Sequence, residues 1–380
     1  MQTTALTFDY ELLHTSKKSR ARVGRIHTPH GIIDTPGFVA VGTNGALKAL
    51  DNTVVNDIGL QLMFCNTYHM LLQPGTTVVK NAGGLHKFIN RPFPIITDSG
   101  GFQVFSLAYG SVANELKGRG TKKNDGSVMK ITEEGVLFRS YRDGTKVLLT
   151  PETSVLAQKD LGADIIIPFD ELPPYHIEKD KLVQSLDRTH RWEERSLNCH
   201  LENPQNQAMY AVIHGGIDPD LREKSCRFLT KLAFDGYAIG GSLGKNRQEM
   251  YTLLQETMPF IPREKPNHLL GIGDLPSIDM AIPLGIDTFD SSYPTRSARH
   301  GILLSYKGDI NVTKRIYQNA FVPPDQNCNC LTCKNYTLAY IHHLFKAGEL
   351  TAMTLATIHN LSFMVQLMRN YREQICADLI

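Results

Sequence analysis

The sequence predicts an α/β protein built on a closed β/α barrel, with an antiparallel sheet ahead of the barrel and a cysteine-rich subdomain behind it. Three observations carry this. Eight short apolar runs recur from Gly37 onward, most of them followed by a stretch of helical character. Several of the runs stop at polar or glycine-rich residues, as strands do where they end on one rim of a barrel. Three cysteines then crowd into the six residues 328–333. A doubly wound open sheet produces similar runs, but eight units with their stops on one rim favour closure.

In order, residues 1–36 read as short antiparallel strands, including Ala21–Ile26 and Gly31–Ile33. The barrel runs follow at 38–41, 62–64, 94–96, 165–169, 209–213, 237–239, 269–272 and 286–289. Their stops are Asn66, Asp98, Asp170-Glu171, His214-Gly215-Gly216, Gly240-Gly241 and Asp290. Residues 104–153 interrupt the alternation between the third and fourth units. The later part of this insertion, residues 135–149, carries Asp143-Gly144 between two apolar stretches, the signature of a β-hairpin. Ahead of it, Lys117, Arg119, Lys122 and Lys123 lie among glycines and read as a solvated loop. Residues 305–365 form the cysteine-rich subdomain, and the whole chain, 1–380, is one barrel domain.

Composition narrows the function. A net charge of +2 rules out a protein-wide polyanion-binding surface, so any nucleic-acid contact is a local patch. No apolar run reaches membrane-spanning length, and the N-terminus lacks a basic segment followed by an apolar one. The expected location is the cytoplasm, without membrane partners. In that compartment seven cysteines are not a disulfide framework. Cys65, Cys199, Cys226 and Cys376 are scattered in apolar or helical contexts and read as inert thiols.

Cys328-Asn329-Cys330-Leu331-Thr332-Cys333 is different. Three thiolates at this spacing suit tetrahedral zinc, which needs a fourth ligand. The pair His342-His343 and the single His359 both offer one. A helix over 337–346, a stop at Ala347-Gly348 and a second helix from Thr351 would return His359 to the cysteine loop. His342 and His343 fall in mid-helix, where partial exposure is expected. Four protein ligands make a closed, structural site, one zinc per chain.

The chemistry rests on two acids. Thr97-Asp98-Ser99-Gly100-Gly101-Phe102-Gln103 ends one apolar run, and Phe289-Asp290 ends another far downstream. Paired carboxylates across a sugar allow displacement at an anomeric carbon through a covalent glycosyl intermediate. If water completes the reaction the protein is a retaining glycosidase or nucleoside hydrolase; if another base does, it is a base exchanger.

Together with Phe169-Asp170-Glu171, Gly240-Gly241, Pro294-Thr295-Arg296-Ser297-Ala298-Arg299 and the C-x-C-x2-C-x25-H pattern, these motifs resemble the tRNA-guanine transglycosylases, also called queuine tRNA-ribosyltransferases, from about residue 8 to the C-terminus. The resemblance implies a TIM barrel with a zinc subdomain. It also implies exchange of the wobble guanine in GUN anticodons (the Asp, Asn, His and Tyr tRNAs) for queuine or its precursor 7-aminomethyl-7-deazaguanine, by a homodimeric pentosyltransferase.

By position, the resemblance makes Asp290 the nucleophile and Asp98 the general acid/base. Asp170 would read the Watson–Crick edge of the purine and Phe102 would stack on it. Backbone N–H groups of Gly240 and Gly241 would face its carbonyl oxygen. Asn66 would orient both acids, while Ser99, His214, Ser242 and Leu270 would line the base. Arg296 and Arg299 would hold the anticodon loop, in a stretch where five Lys/Arg face one Asp. Cys328, Cys330, Cys333 and His359 would bind zinc. A non-catalytic RNA-binding subunit of such an enzyme would be expected to lack Asp290. The exchangers that modify a D-arm guanine normally carry a further C-terminal RNA-binding region.

Two departures stand out. His214 replaces the family's usual glutamine, so base recognition could depend on pH. Gly240-Gly241-Ser242-Leu243-Gly244-Lys245 replaces the common Gly-Gly-Leu-x-Val-Gly, with Gly244 where the valine stands. Loss of that side chain is expected to make room for the large 7-substituent of queuine. Residues 109–127 form an insertion without an assigned role.

Overall fold

A computed structural model describes residues 8–109 and 128–380 of the chain. The basic stretch of the insertion, residues 117–123, lies outside them.

All eight expected strands form and close on themselves. The barrel consists of β4 (Gly37–Val41), β5 (Leu62–Cys65), β6 (Ile95–Thr97), β10 (Ile165–Ile166), β11 (Ala208–Ile213), β12 (Gly236–Ile239), β13 (Asn267–Leu269) and β14 (Thr288–Ser291). Every neighbouring pair is parallel, including the closing pair β14–β4. The strands are short and apolar on both faces because helices cover the outside and a packed core fills the inside.

The inner core is one cluster: Val39, Leu62, Phe64, Ile96, Ile165, Ile167, Ala208, Tyr210, Val212 and Ala238. Ile26 and Ile33 belong to the same cluster. They come from the antiparallel sheet β1 (Asp9–Thr15), β2 (Arg22–Thr28) and β3 (Gly31–Thr35), which therefore plugs the N-terminal end of the barrel. A buried ion pair anchors that plug: Arg22 donates to both carboxylate oxygens of Asp287, just before β14, at 2.9 and 2.5 Å. Three carbonyl or amide partners and the Tyr10 hydroxyl add to the pair's hydrogen bonding, as a buried charge requires.

The insertion holds the expected hairpin, β8 (Val136–Arg139) and β9 (Lys146–Leu149), with Gly144 in the left-handed region at φ 73°. A third strand, β7 (Val128–Ile131), joins it. Beyond the barrel, a short pair β15 (Ile302–Leu303) and β16 (Ile310–Asn311) leads into the helices Leu331–Asn335, Leu338–Ala347 and Leu350–Cys376. Gly348, at φ 76°, ends the second of these as expected. The third runs past residue 365 and contributes Leu361, Met364, Leu367 and Met368 to the main core. The subdomain and the barrel thus share one long helix.

Candidate active site

Strand periodicity places the site. Side chains alternate between the two faces of a strand, so a residue two positions beyond an inward-facing one also points inward, now at the mouth. Asn66 follows Phe64 in this way, Asp98 follows Ile96, and His214 follows Val212. Asp290 shares the inner face of β14 with Thr288. All four lie at the C-terminal ends of their strands, the rim where barrel enzymes work. Going from β6 through β5 and β4 to β14, Asp98 and Asp290 are three strand steps apart in a ring of eight. Both lie on the same rim.

Asp98 is buried and held by three donors. The Asn66 and Gln103 amides donate to Oδ2 at 2.7 and 2.8 Å, and the Thr67 N–H donates to Oδ1 at 2.7 Å. Burial pushes its carboxyl up to about 6 against these stabilising bonds, and the Asp170 charge adds to the rise. A carboxyl poised there can give and take a proton near neutrality.

Asp290 is buried as well, and both of its donors meet one oxygen. His268 Nε2 lies 3.0 Å from Oδ1, and the Gly271 N–H donates to the same atom at 2.7 Å. Asn66 is therefore bonded to one acid, Asp98, and not to both as expected; a different pair of groups orients the second.

Asp170, the acid expected to read the purine edge, is tied to two neighbours on this rim. Asp170 Oδ1 accepts from the Ser99 hydroxyl at 3.0 Å, and Oδ2 lies 2.9 Å from His214 Nε2. Asp170 caps no helix, since the next one begins at Lys179. Its two engaged oxygens keep lone pairs for further donors. His214 is thus tied to Asp170. Phe102 leaves its ring 49% exposed at the start of the Gly101–Tyr109 helix, open to stacking.

The Gly240 N–H, expected to face a base carbonyl, donates instead to the Ile213 carbonyl at 3.2 Å. Gly240 has no space for a side chain: a Cβ would fall 2.5 Å from Val212 and 3.1 Å from Leu270, which puts Leu270 against the pocket wall. Gly241 adopts φ 73°, and a Cβ there would crowd His214.

Gly244 departs from expectation. It sits at φ 99°, and a Cβ would meet Glu249 at 2.7 Å. Glycine serves the turn here and does not enlarge a pocket. A cavity of 390 Å³ nevertheless opens nearby, lined by His214, Gly241 and Ser242 and extending past Pro173, Tyr175 and Ile217. The buried Ser242 hydroxyl has no hydrogen-bond partner among the described residues.

Sequence reading missed several groups. Arg222 is fully buried and donates to the carbonyls of Ile213, Gly216 and Ser242, tying the two glycine loops together. Burial lowers its guanidinium to about 10. His268 and Gln103 were equally unmarked, because only the fold shows which buried polar residue lies behind which acid.

Helix Tyr293–Arg299 starts directly after β14, and it exposes Arg296 and half-buries Arg299. Lys307, Lys314 and Arg315 are exposed further along the same basic stretch.

Ligand atoms of Cys328, Cys330, Cys333 and His359 lie within 4.8 Å of one another, a cluster able to hold a metal ion. The donor set is consistent with that. The His359 ring is fixed by its Nε2 hydrogen bond to the Leu304 carbonyl at 2.9 Å, which turns Nδ1 toward Cys333 Sγ at 3.2 Å and Cys330 Sγ at 3.9 Å. His342 is buried, not partly exposed: it packs into the subdomain core with Nδ1 on the Val312 carbonyl at 2.7 Å. His343 is exposed. Among the described residues no helix is long and apolar enough to cross a membrane.

A closed β/α barrel with buried acids at the C-terminal ends of its strands, carrying a Cys3His cluster, is the architecture of a barrel enzyme. The family described as queuine tRNA-ribosyltransferase matches residues 16–379, and the chain belongs to it. A queuine tRNA-ribosyltransferase of Protochlamydia amoebophila is 73% identical over 373 residues, 98% of this chain and 96% of that protein. Those of Chlamydia caviae and Chlamydia trachomatis serovar A are 55% and 54% identical over 376 and 372 residues, covering 99% and 98% of this chain. As a member the chain is a pentosyltransferase, and the hydrolase alternatives fall away.

Proposed function

We propose that the protein replaces the wobble guanine of GUN-anticodon tRNAs with a 7-deazaguanine base, in queuosine modification, through a covalent ribosyl–enzyme intermediate. The observation that supports this most is the separate tethering of the two acids. Asp98 is held near neutrality for proton transfer, while Asp290 keeps one oxygen, Oδ2, without a hydrogen bond among the described residues. Asp290 Oδ2 attacks C1′ as the C1′–N9 bond breaks, and Asp98 gives a proton to the departing guanine. Asp98 then takes the N9 proton of the incoming base, whose nitrogen displaces Asp290 from C1′. Two displacements at one carbon retain its configuration. Asp170 accepts from N1–H and N2–H of the purine, Phe102 stacks on it, and the Gly241 N–H donates to its carbonyl.

The base taken up is queuine, beside or instead of the aminomethyl precursor. The cavity next to Ser242, with its unpartnered hydroxyl, has the room and polarity for a polar 7-substituent. Exchange rates with the two bases test this. Wild type should incorporate queuine, and Ser242→Leu should lower kcat/KM for queuine by about tenfold or more while affecting the precursor less. No queuine incorporation at saturating base would refute the assignment.

Arg296, Arg299 and the exposed lysines near them hold the anticodon loop by its phosphates. The Cys3His cluster holds one structural zinc. Cys333→Ser, or prolonged chelation, should take bound zinc from one per chain to none. It should also lower the melting temperature sharply, because metal binding at such sites is worth about 10–16 kcal/mol of folding free energy. Elemental analysis with a thermal melt checks both. A homodimer agrees with the apolar surface this subdomain leaves open, including Phe321 at 76% and Leu350 at 75% exposure. A cytoplasmic location fits a tRNA substrate.

A further inference from the structure

We infer that His268 is a positioning residue for the nucleophile: it donates its Nε2 proton to Asp290 Oδ1 and so reserves Oδ2 for the sugar. His268 is fully buried in β13, with its ring beside that of Phe64 at 6.2 Å between centroids. In the strand register it stands opposite Thr288, so its side chain reaches both Thr288 and Asp290, two residues on along the same inner face. Nδ1 lies 2.8 Å from Thr288 Oγ1 and Nε2 lies 3.0 Å from Asp290 Oδ1.

Proton bookkeeping fixes the direction of the second bond. The Thr288 hydroxyl has one proton, and two acceptors are in reach: His268 Nδ1 and the Asn267 carbonyl at 3.1 Å. If it donates to Nδ1, that nitrogen is bare and the ring proton sits on Nε2. If it donates to Asn267, Nδ1 must carry a proton, and Nε2 carries one too unless Asp290 is itself protonated. A lone pair on Nε2 facing an ionised carboxylate at 3.0 Å would repel it. With Asp290 ionised, both arrangements place an N–H on Oδ1.

The consequence is chemical as well as geometric. Oδ1 receives His268 and the Gly271 N–H together. Both favour the carboxylate over the ester that Asp290 becomes when Oδ2 bonds to C1′, because a charged acceptor binds a donor more strongly. His268 thus makes Asp290 the better leaving group when the incoming base attacks, and keeps the covalent enzyme from becoming a trap. Nothing in the sequence pattern points to this residue.

The inference rests on Asp290 as nucleophile, and the test separates the two. Wild type, His268→Leu, His268→Gln and Asp290→Asn are each mixed with an anticodon stem–loop RNA, with and without guanine, and run on denaturing gels. Steady-state exchange and thermal melts are measured alongside. His268→Leu should lower kcat about 10- to 100-fold, the range of one hydrogen bond to a charged group. KM for guanine should move less than about threefold, and the covalent RNA adduct should dissolve more slowly on adding guanine. His268→Gln, whose amide can donate to Oδ1 and accept from Thr288, should restore most of kcat. If wild type forms no adduct, the nucleophile assignment fails. If wild type forms it and His268→Leu resolves it at the wild-type rate, the inference fails. An equal loss in the Leu and Gln variants, with lowered melting temperatures, would reduce His268 to a packing residue and overturn it as well.

Discussion

Asp290→Asn should abolish base exchange, with labelled guanine incorporation into an Asn or Asp tRNA falling by about four orders of magnitude or more. The expected loss is this large because an amide oxygen is a poor nucleophile at an acetal-like carbon. Without a covalent intermediate the two bases would have to meet at C1′ at once. The variant should still fold. Asn can present its carbonyl oxygen to His268 and Gly271, which both meet the single atom Oδ1 in the wild type. Its amide then occupies the place of Oδ2, which no described group contacts. Melting temperature and tRNA affinity should therefore stay near wild type while activity disappears. Undiminished incorporation would exclude Asp290 as nucleophile.

Asp98→Asn should cost about 10²- to 10⁴-fold in kcat, the usual contribution of a general acid/base. This change is also tolerable structurally. Oδ2 accepts from two amides, and a new NH2 in its place would face them. Gln103 carries a buried Oε1 without a partner among the described residues, and turning that amide over supplies one acceptor, at the cost of the Asn66 hydrogen bond. The pH dependence is the sharper measurement. The Asp98 carboxyl titrates at about 6, protonated below and ionised above. Guanine departure needs the protonated form, so kcat/KM for tRNA should fall about tenfold per unit as pH rises beyond 6. Uptake of the new base needs the ionised form, so that half-reaction should weaken as pH drops below 6. Both limbs should vanish in the variant.

The barrel was legible because each strand is an apolar run bounded by a stop, and the stops fell on one rim. Asp98, Asp170 and Asp290 were legible as the polar stops of their runs, and the resemblance supplied their expected roles. The Cys3His cluster could be read from spacing, with His359 brought back by a helical hairpin. What failed to show were relations across strands. Asn66 was expected to serve both acids, yet register gives Asp98 to Asn66 and Asp290 to His268, in β13. By sequence Gly244 predicts an enlarged pocket, whereas its φ and the neighbouring Glu249 explain it locally. His342 looked peripheral in mid-helix, but the stripe it shares with Leu338 and Ile341 faces the subdomain core. Each miss concerns which face or neighbour a residue meets, a property of the folded ring and not of local pattern.

The antiparallel sheet that fills the foot of the barrel has a kinetic implication. With Ile26 and Ile33 packed into the interior from below and Arg22 locked to Asp287, the described residues close the foot of the barrel and leave the acids to be met from the C-terminal rim. Outgoing and incoming purines must take turns in the same slot. The proposed ribosyl–enzyme intermediate would hold the sugar in the interval between them.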